Sequence, residues 1–87
     1  MNESKKEIIS ILYNCLLKYK ALKATYQCKF DKISNDYKKL TNNPVTKHNY
    51  NIINQKLYDK REIGSNINSI KHIINNIENI ILRTNEL

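Results

Sequence analysis

Two cysteines and two histidines are the residues of this sequence best suited to nucleophilic or metal chemistry: Cys15, Cys28, His48 and His72. A Cys–His pair can form an activated nucleophile, and clusters of such side chains bind zinc. These four are scattered and lack the short spacings of zinc motifs. In a hairpin that turns near Pro44, Cys15 lies at the height of His72, but Cys15 faces inward and His72 faces solvent. We therefore expect no catalytic, metal or cofactor site.

Lysine is the other chemically suggestive residue type, because the 87-residue chain carries a net charge of +7. Three lysines fall within about 60° on a helical wheel and are candidates for phosphate contacts: Lys18, Lys29 and Lys32. Such contacts would make binding sensitive to salt. Lysine reads bases poorly compared with arginine, so nucleic-acid binding through this stripe would be non-specific. A solvated basic surface is the alternative interpretation.

Long helices must position all of these side chains. A row of apolar and aromatic residues runs through the first forty positions in steps of three or four, the period of a helix with one buried face. Two successive steps of four meet at Tyr26, where the spacing predicts one stutter. The row consists of Ile8, Leu12, Cys15, Tyr19, Leu22, Tyr26, Phe30, Ile33, Tyr37 and Leu40.

A turn is expected in the middle of the chain. Asn43 precedes Pro44 and is therefore disfavoured in helical dihedral angles, and the proline cannot continue the helical hydrogen bonds. The sequence predicts a first helix over residues ~3–40 and a loop over ~41–48. Thr46 or Asn49 is expected to cap the helix that follows.

The second half of the chain carries two apolar rows in different phases. Tyr50, Ile53 and Leu57 begin one row, and on a straight helix the later row is rotated from it by about 100°. Gly64 lies between the rows and is unfavourable in a helix interior. We expect helices over ~49–62 and ~66–84, with a kink or break at ~63–65. The later row consists of Ile63, Ile67, Ile70, Ile74, Ile77 and Ile81.

The two arms are of nearly equal length, which favours an all-α antiparallel helical hairpin with coiled-coil-like spacing, forming one domain over residues 1–87. A three-helix bundle with a true turn at Gly64 is the alternative. No run of apolar residues is long enough to span a membrane, and the first ten residues do not resemble a signal peptide. These features predict a cytoplasmic protein.

A further row on the first helix lies roughly opposite the main one and has no partner within a two-helix hairpin. We expect it to contact a second copy of the chain or a partner helix. A thin bundle offers no concave pocket for a small-molecule substrate, so an enzyme is not expected. The row consists of Tyr13, Leu17, Ala21, Ala24 and Cys28.

The function that this pattern favours is protein–protein interaction, as a small adaptor, regulator or assembly component that associates with itself. The alternative is a non-specific nucleic-acid-binding regulator that uses the lysine stripe.

Overall fold

Two helices of equal length make up the fold. The computed structural model describes residues 2–44 and 46–87 of the chain. Helix α1 is Asn2–Thr41 and helix α2 is Lys47–Glu86. They pack against each other as a rod whose backbone measures 67 × 15 × 14 Å. The predicted all-α hairpin is confirmed; Val45, which belongs to the predicted loop, lies outside the described residues.

The turn between the helices follows the local preferences of its residues. The backbone N–H of Asn42 donates to the carbonyl of Lys38 at 3.0 Å, which closes the last turn of α1. Thr46 has extended dihedral angles and caps α2, because its side-chain oxygen accepts a hydrogen bond from the backbone N–H of Asn49 at 3.3 Å. Of the two predicted caps, Thr46 is therefore the one used.

The buried face of α1 repeats every seven residues without interruption, and we call these positions the seam. Leu16 lies in the seam and is 7% exposed. Two members of the predicted row are wrong, because Ile8 is 50% exposed and Leu22 is 41% exposed. Other members of its first half, such as Leu12 and Tyr19, do pack against the core. The stutter predicted at Tyr26 is absent, because the seam steps evenly by three and four. The seam of α1 consists of Ile9, Leu12, Leu16, Tyr19, Lys23, Tyr26, Phe30, Ile33, Tyr37 and Leu40.

The seam of α2 also keeps one phase, contrary to the predicted rotation of about 100° between its two rows. Two lysines fill the interval by packing their aliphatic stems inward while the ammonium groups reach the edge. The Nζ atom of Lys60 lies 5.6 Å from the ring centroids of both Phe30 and Tyr37. The Nζ atom of Lys56 lies 3.7 Å from Oδ2 of Asp36. The seam of α2 consists of Asn49, Ile53, Lys56, Lys60, Ile63, Ile67, Ile70, Ile74, Ile77, Ile81 and Thr84.

Gly64 lies within α2 and does not end it. Residues 63–65 are helical and α2 continues for another twenty-one residues beyond them. The predicted break and the three-helix alternative are therefore wrong. Both were expected because the two apolar rows differed in phase, and the seam in the structure does not change phase. A bend of the helix axis at Gly64, the milder form of that expectation, stays a prediction.

Substituting Gly64 with alanine is expected to stabilise the hairpin. A Cβ atom at this position would lie 3.5 Å from Cε2 of Phe30, an ordinary van der Waals distance. The helix-propensity difference between glycine and alanine then gives a gain of about 1 kcal/mol, which raises Tm by roughly 4–8 °C in a domain of this size. Thermal unfolding followed by circular dichroism measures this shift.

The matched control for that measurement is Ser65→Ala, on an exposed neighbouring position. Serine is closer to alanine in helix propensity, so its gain should stay below about 0.7 kcal/mol. A loss of stability in Gly64→Ala would contradict the contact distance to Phe30 and would favour a local bend that needs glycine.

The best-packed part of the molecule lies near its two termini. Leu16 of α1 forms one buried cluster with four isoleucines of α2. The ends of the helices are also tied together there, because Nζ of Lys5 donates to the carbonyl oxygen of Asn85 at 3.1 Å. The four isoleucines are Ile70, Ile74, Ile77 and Ile81.

Candidate interaction surfaces

Two surface grooves show which residues of the two helices share each side of the rod. We name the sides the Lys20 flank and the Lys29 flank. On the Lys20 flank, a groove of about 610 Å³ is lined by Lys20, Lys23, Ala24, Gln27, Lys71, Ile74, Asn75 and Glu78. On the Lys29 flank, a groove of about 340 Å³ is lined by Tyr26, Lys29, Ile33, Asp59, Glu62, Ile63 and Asn66.

The row predicted to contact a partner is exposed along its whole length. It begins on the Lys20 flank, where Tyr13 lines a smaller groove of about 340 Å³ together with Leu16 and Leu82. From there it winds onto the outer face of α1, away from α2. Leu17 is its most exposed large side chain, at 64%. We call these residues the outer row: Tyr13, Leu17, Ala21, Ala24 and Cys28.

A second apolar surface lies on the Lys29 flank, and the sequence pattern identified only its α2 half, Ile73 and Ile80. Leu22 stands seven residues before Lys29, and Ile73 stands seven residues after Asn66, so both share the side of the groove described above. Their neighbours along the same flank are also isoleucines with a third to two thirds of their surface exposed. We call this surface the terminal patch: Ile8, Ile11, Leu22, Ile73 and Ile80.

The sequence contained one signal for the terminal patch. Ile73 and Ile80 fall off the main row of the second helix, which already indicated a broad apolar face. The other half of the patch was hidden, because Ile8 and Leu22 were assigned to the core. Only the position of α2 shows that these two side chains lie beside the seam and not in it.

The three lysines of the predicted stripe are all exposed. Nζ of Lys29 lies 5.4 Å from the ring centroid of Tyr26. Lys29 also shares its groove with the carboxylates of Asp59 and Glu62. Lys18 lies four residues before Leu22, and Lys32 lies three residues after Lys29, so both are on the same side of α1 as these two residues. The stripe therefore shares its flank with Leu22, which lies between Lys18 and Lys29, and two acidic residues face its Lys29 end.

Charge is unevenly distributed along the rod. Residues 23–67, the half that contains the turn, hold nine basic and four acidic residues, which accounts for five of the seven net positive charges. The half that contains both termini holds six basic and four acidic residues. The terminal patch thus lies on the nearly neutral half, and the turn half is strongly basic.

The candidate nucleophile and metal ligands are not brought together. Cys15 is partly buried and packs against the cluster around Leu16, whereas His48 and His72 are exposed. Among residues 2–44 and 46–87, no group of three or more His, Cys, Asp or Glu side chains is placed to hold a metal ion. Within the same residues, neither helix contains a stretch long and apolar enough to cross a bilayer.

Comparisons with known proteins add no family to this description. No protein-family model matches the chain, and neither the curated proteins nor the solved structures that were compared contain a match.

Proposed function

We propose that this protein works by protein–protein interaction, as a small adaptor, regulator or assembly component that offers a helical face to a partner. The observation that carries the proposal is the exposure of apolar side chains on both sides of the seam in the terminal half. On the Lys20 side these include Tyr13, Leu17 and Leu82, and each has about half or more of its surface exposed. Clusters of this kind typically mark interaction sites.

The thin core supports the same proposal. Seven side chains among the described residues are buried, all of them leucine or isoleucine, and they lie along a single seam. The accessible surface of the chain is 6949 Å². A compact monomer of the same 10.3 kDa mass would expose about 5,400 Å². The hairpin therefore exposes roughly 1,500 Å² more than such a monomer, about twice the roughly 800 Å² that each partner buries in a standard protein–protein interface.

The mode of contact that we propose is packing of a partner helix against the outer row. Its two alanines allow a partner backbone to approach closely, and Leu17 supplies the side chain that a groove would receive. The seven-residue repeat of both seams supports coiled-coil packing within the hairpin, and a partner helix would extend the same mode. We place this activity in the cytoplasm, where the free thiols of Cys15 and Cys28 stay reduced.

Leu17→Glu is expected to abolish partner capture while leaving the hairpin folded. Leu17 contributes little to the seam because it is 64% exposed, whereas a carboxylate buried in an interface is strongly unfavourable. The measurement is affinity capture from the native host with the tagged chain, followed by native mass spectrometry of the captured complex. We expect recovery of the specific partner to fall at least about tenfold, the change that 1.4 kcal/mol produces.

The control variant is Tyr58→Glu, which places the same charge on a side chain that is 65% exposed but lies in the turn half, away from the outer row. It should capture the partner as well as the unmodified chain does. Equal capture by Leu17→Glu and the unmodified chain would remove the outer row from the proposal.

A second candidate function is non-specific nucleic-acid binding. The exposure of Lys18, Lys29 and Lys32 on one edge, next to the strongly basic turn half, favours it. Asp59 and Glu62 oppose it, since they share the groove of Lys29 and would repel phosphates. Charge reversal at Lys18 and Lys29 together would weaken such binding and reduce its salt dependence, and the effect would be larger than that of the single charge added by Leu17→Glu. Affinity for duplex DNA or RNA that does not change with salt would argue against this function.

A further inference from the structure

We propose that the Lys20 flank binds an acidic amphipathic helix of another protein, whose carboxylates lie next to Lys20, Lys23 and Lys71. This inference rests on the proposed function, because it states the chemistry of the partner and the side from which the partner approaches. The hairpin and the bound helix would together form a three-helix arrangement.

The two grooves of the Lys20 flank form one channel, because Lys20 and Glu78 line both of them. We call the two grooves together the Lys20 channel. Along α1 the channel extends from Tyr13 to Gln27, which is about 21 Å at a rise of 1.5 Å per residue. Buried isoleucines of α2 form part of its floor. A groove of this length between two packed helices can receive about four turns of a third helix.

Part of the outer row borders the Lys20 channel. Tyr13 and Ala24 line it, and Leu17 lies three residues before Lys20 on the same edge of α1. At the end nearest the termini, Tyr13 is 49% exposed and Leu82 is 60% exposed. A helix in the channel would therefore contact apolar side chains near the termini and lysines towards the middle of the rod.

Charge distinguishes the two flanks. The Lys20 channel is lined by three lysines and one carboxylate, whereas the groove on the Lys29 flank is lined by one lysine and two carboxylates. Among residues 2–44 and 46–87 the one salt bridge joins Lys56 and Asp36, so the three channel lysines have no carboxylate partner there. Lys23 is also partly buried, and a carboxylate interacts more strongly with a charge that is less exposed to water.

The same lysines make the channel unfavourable for a second copy of this chain. A two-fold contact through the channel would bring the three lysines of each copy together, and like charges that face each other across an interface are strongly unfavourable. A nucleic-acid backbone could contact the lysines but would leave Tyr13, Leu17 and Leu82 uncovered. An amphipathic helix with acidic residues beside its apolar face satisfies both parts of the channel.

Selection from a displayed library of helical peptides, about five turns long, tests this proposal with the full chain as the immobilised target. We expect Asp and Glu to be enriched in the selected peptides, and Lys and Arg to be depleted. Tyr13 and Lys20 are seven residues apart. An acidic residue should therefore recur about two helical turns from a bulky apolar residue on the same face of the peptide.

Reversing two channel charges with Lys20→Glu and Lys71→Glu should weaken binding of a selected acidic peptide at least about tenfold in fluorescence anisotropy. Selection against this double variant should enrich Lys and Arg instead. Both positions are exposed, so the hairpin should stay helical by circular dichroism. Ala24→Trp fills the channel without changing its charge and should also lose the peptide, which guards against misfolding of the double variant.

The matched control reverses two lysines at the turn end, Lys38→Glu and Lys47→Glu, which are both exposed. It changes the net charge by the same amount but leaves the Lys20 channel intact. The control should bind the selected peptide like the unmodified chain. Equal weakening in the control and in the Lys20 and Lys71 variant would mean that net charge alone attracts the peptide, and would overturn the inference.

Four other outcomes would also overturn it. They are a selection that yields no peptides, selected peptides without an acidic preference, and an acidic preference that persists after charge reversal at Lys20 and Lys71. Displacement of the peptide by duplex DNA at lower concentrations than by unlabelled peptide would assign the channel to nucleic acid. A dimer in sedimentation equilibrium that Ala24→Trp dissociates would likewise assign it to a second copy.

Failure of this inference can be distinguished from failure of the proposed function. Loss of partner capture in Leu17→Glu, together with full capture by the Lys20 and Lys71 variant, would refute the acidic partner alone. Peptide binding that depends on Lys20 and Lys71, together with full partner capture by Leu17→Glu, would refute the outer row alone.

Discussion

Ile70→Ala is expected to destabilise the hairpin by about 2–4 kcal/mol. Ile70 is 6% exposed and belongs to the cluster around Leu16. Truncation removes buried methyl and methylene groups and leaves a cavity that two rigid helices cannot fully close. Small domains have about 5–15 kcal/mol of total stability, and a core made of one seam belongs near the lower end. About 1–3 kcal/mol would then remain, so Ile70→Ala should stay mostly folded at room temperature but unfold at a much lower urea concentration.

Urea unfolding followed by helical circular dichroism measures this loss, and Ile52→Ala is its control. The control deletes the same atoms from a side chain that is 45% exposed. The higher helix propensity of alanine offsets part of the small loss of packing in Ile52→Ala. The free energy of unfolding of this control should therefore change by less than about 0.5 kcal/mol. Equal losses at both positions would contradict the placement of the core at Ile70.

The parts of the fold that the sequence predicted are those governed by local chemistry. Pro44 and its preceding asparagine determine where α1 ends, and Thr46 determines how α2 begins. The isoleucines of α2 from Ile67 to Ile81 are also placed correctly, because they recur in unbroken steps of three and four, although Ile73 and Ile80 lie next to members of this row. In these segments, helical periodicity or the local preference of a single residue was sufficient to predict the structure.

The first half of α1 could not be placed from its own residues. Ile8 and Ile9 are adjacent, as are Ile11 and Leu12, so rows of similar quality run through neighbouring positions. The row that is buried in the structure contains Lys23, and a lysine interrupts the apolar pattern by which a buried row is identified in a sequence. The choice depends on which face α2 covers, and that is a property of the pair of helices and not of either one.

The same difficulty explains the wrong expectation at Gly64. Counting Lys56 and Lys60 as polar removed two seam positions and created an apparent change of phase between Leu57 and Ile63. A lysine stem is long enough to pack in a seam while its ammonium group reaches solvent or an aromatic ring. Once these stems are counted, the seam is continuous and α2 needs no interruption.

The position of the seam also determines which apolar side chains are left on the surface. The outer row was accessible to sequence reasoning, because it lies far from any possible seam. The terminal patch was not, since Ile8 and Leu22 leave the core only when Ile9 and Lys23 enter it. A shift of the buried face by one position thus converts supposed core residues into a second candidate interface.

Lys23→Leu is expected to stabilise the hairpin by about 1–2 kcal/mol. Lys23 occupies a seam position between Tyr19 and Tyr26 and is partly buried, and the groove of about 610 Å³ beside Ile74 opens there. A leucine would continue the apolar seam and fill part of that groove. We also expect the variant to lose specificity in helix register and oligomeric state, because a polar residue at a seam position fixes the register and the number of helices that associate.

Urea unfolding and sedimentation equilibrium together measure both effects, with Lys32→Leu as the control. Lys32 is exposed on the edge of α1, so its replacement removes the same charge without extending the seam and should leave the unfolding midpoint unchanged. For Lys23→Leu we expect a higher midpoint together with a broader distribution of oligomers. A lower midpoint would mean that the ammonium group of Lys23 makes a contact that stabilises the hairpin more than an apolar side chain in the seam would.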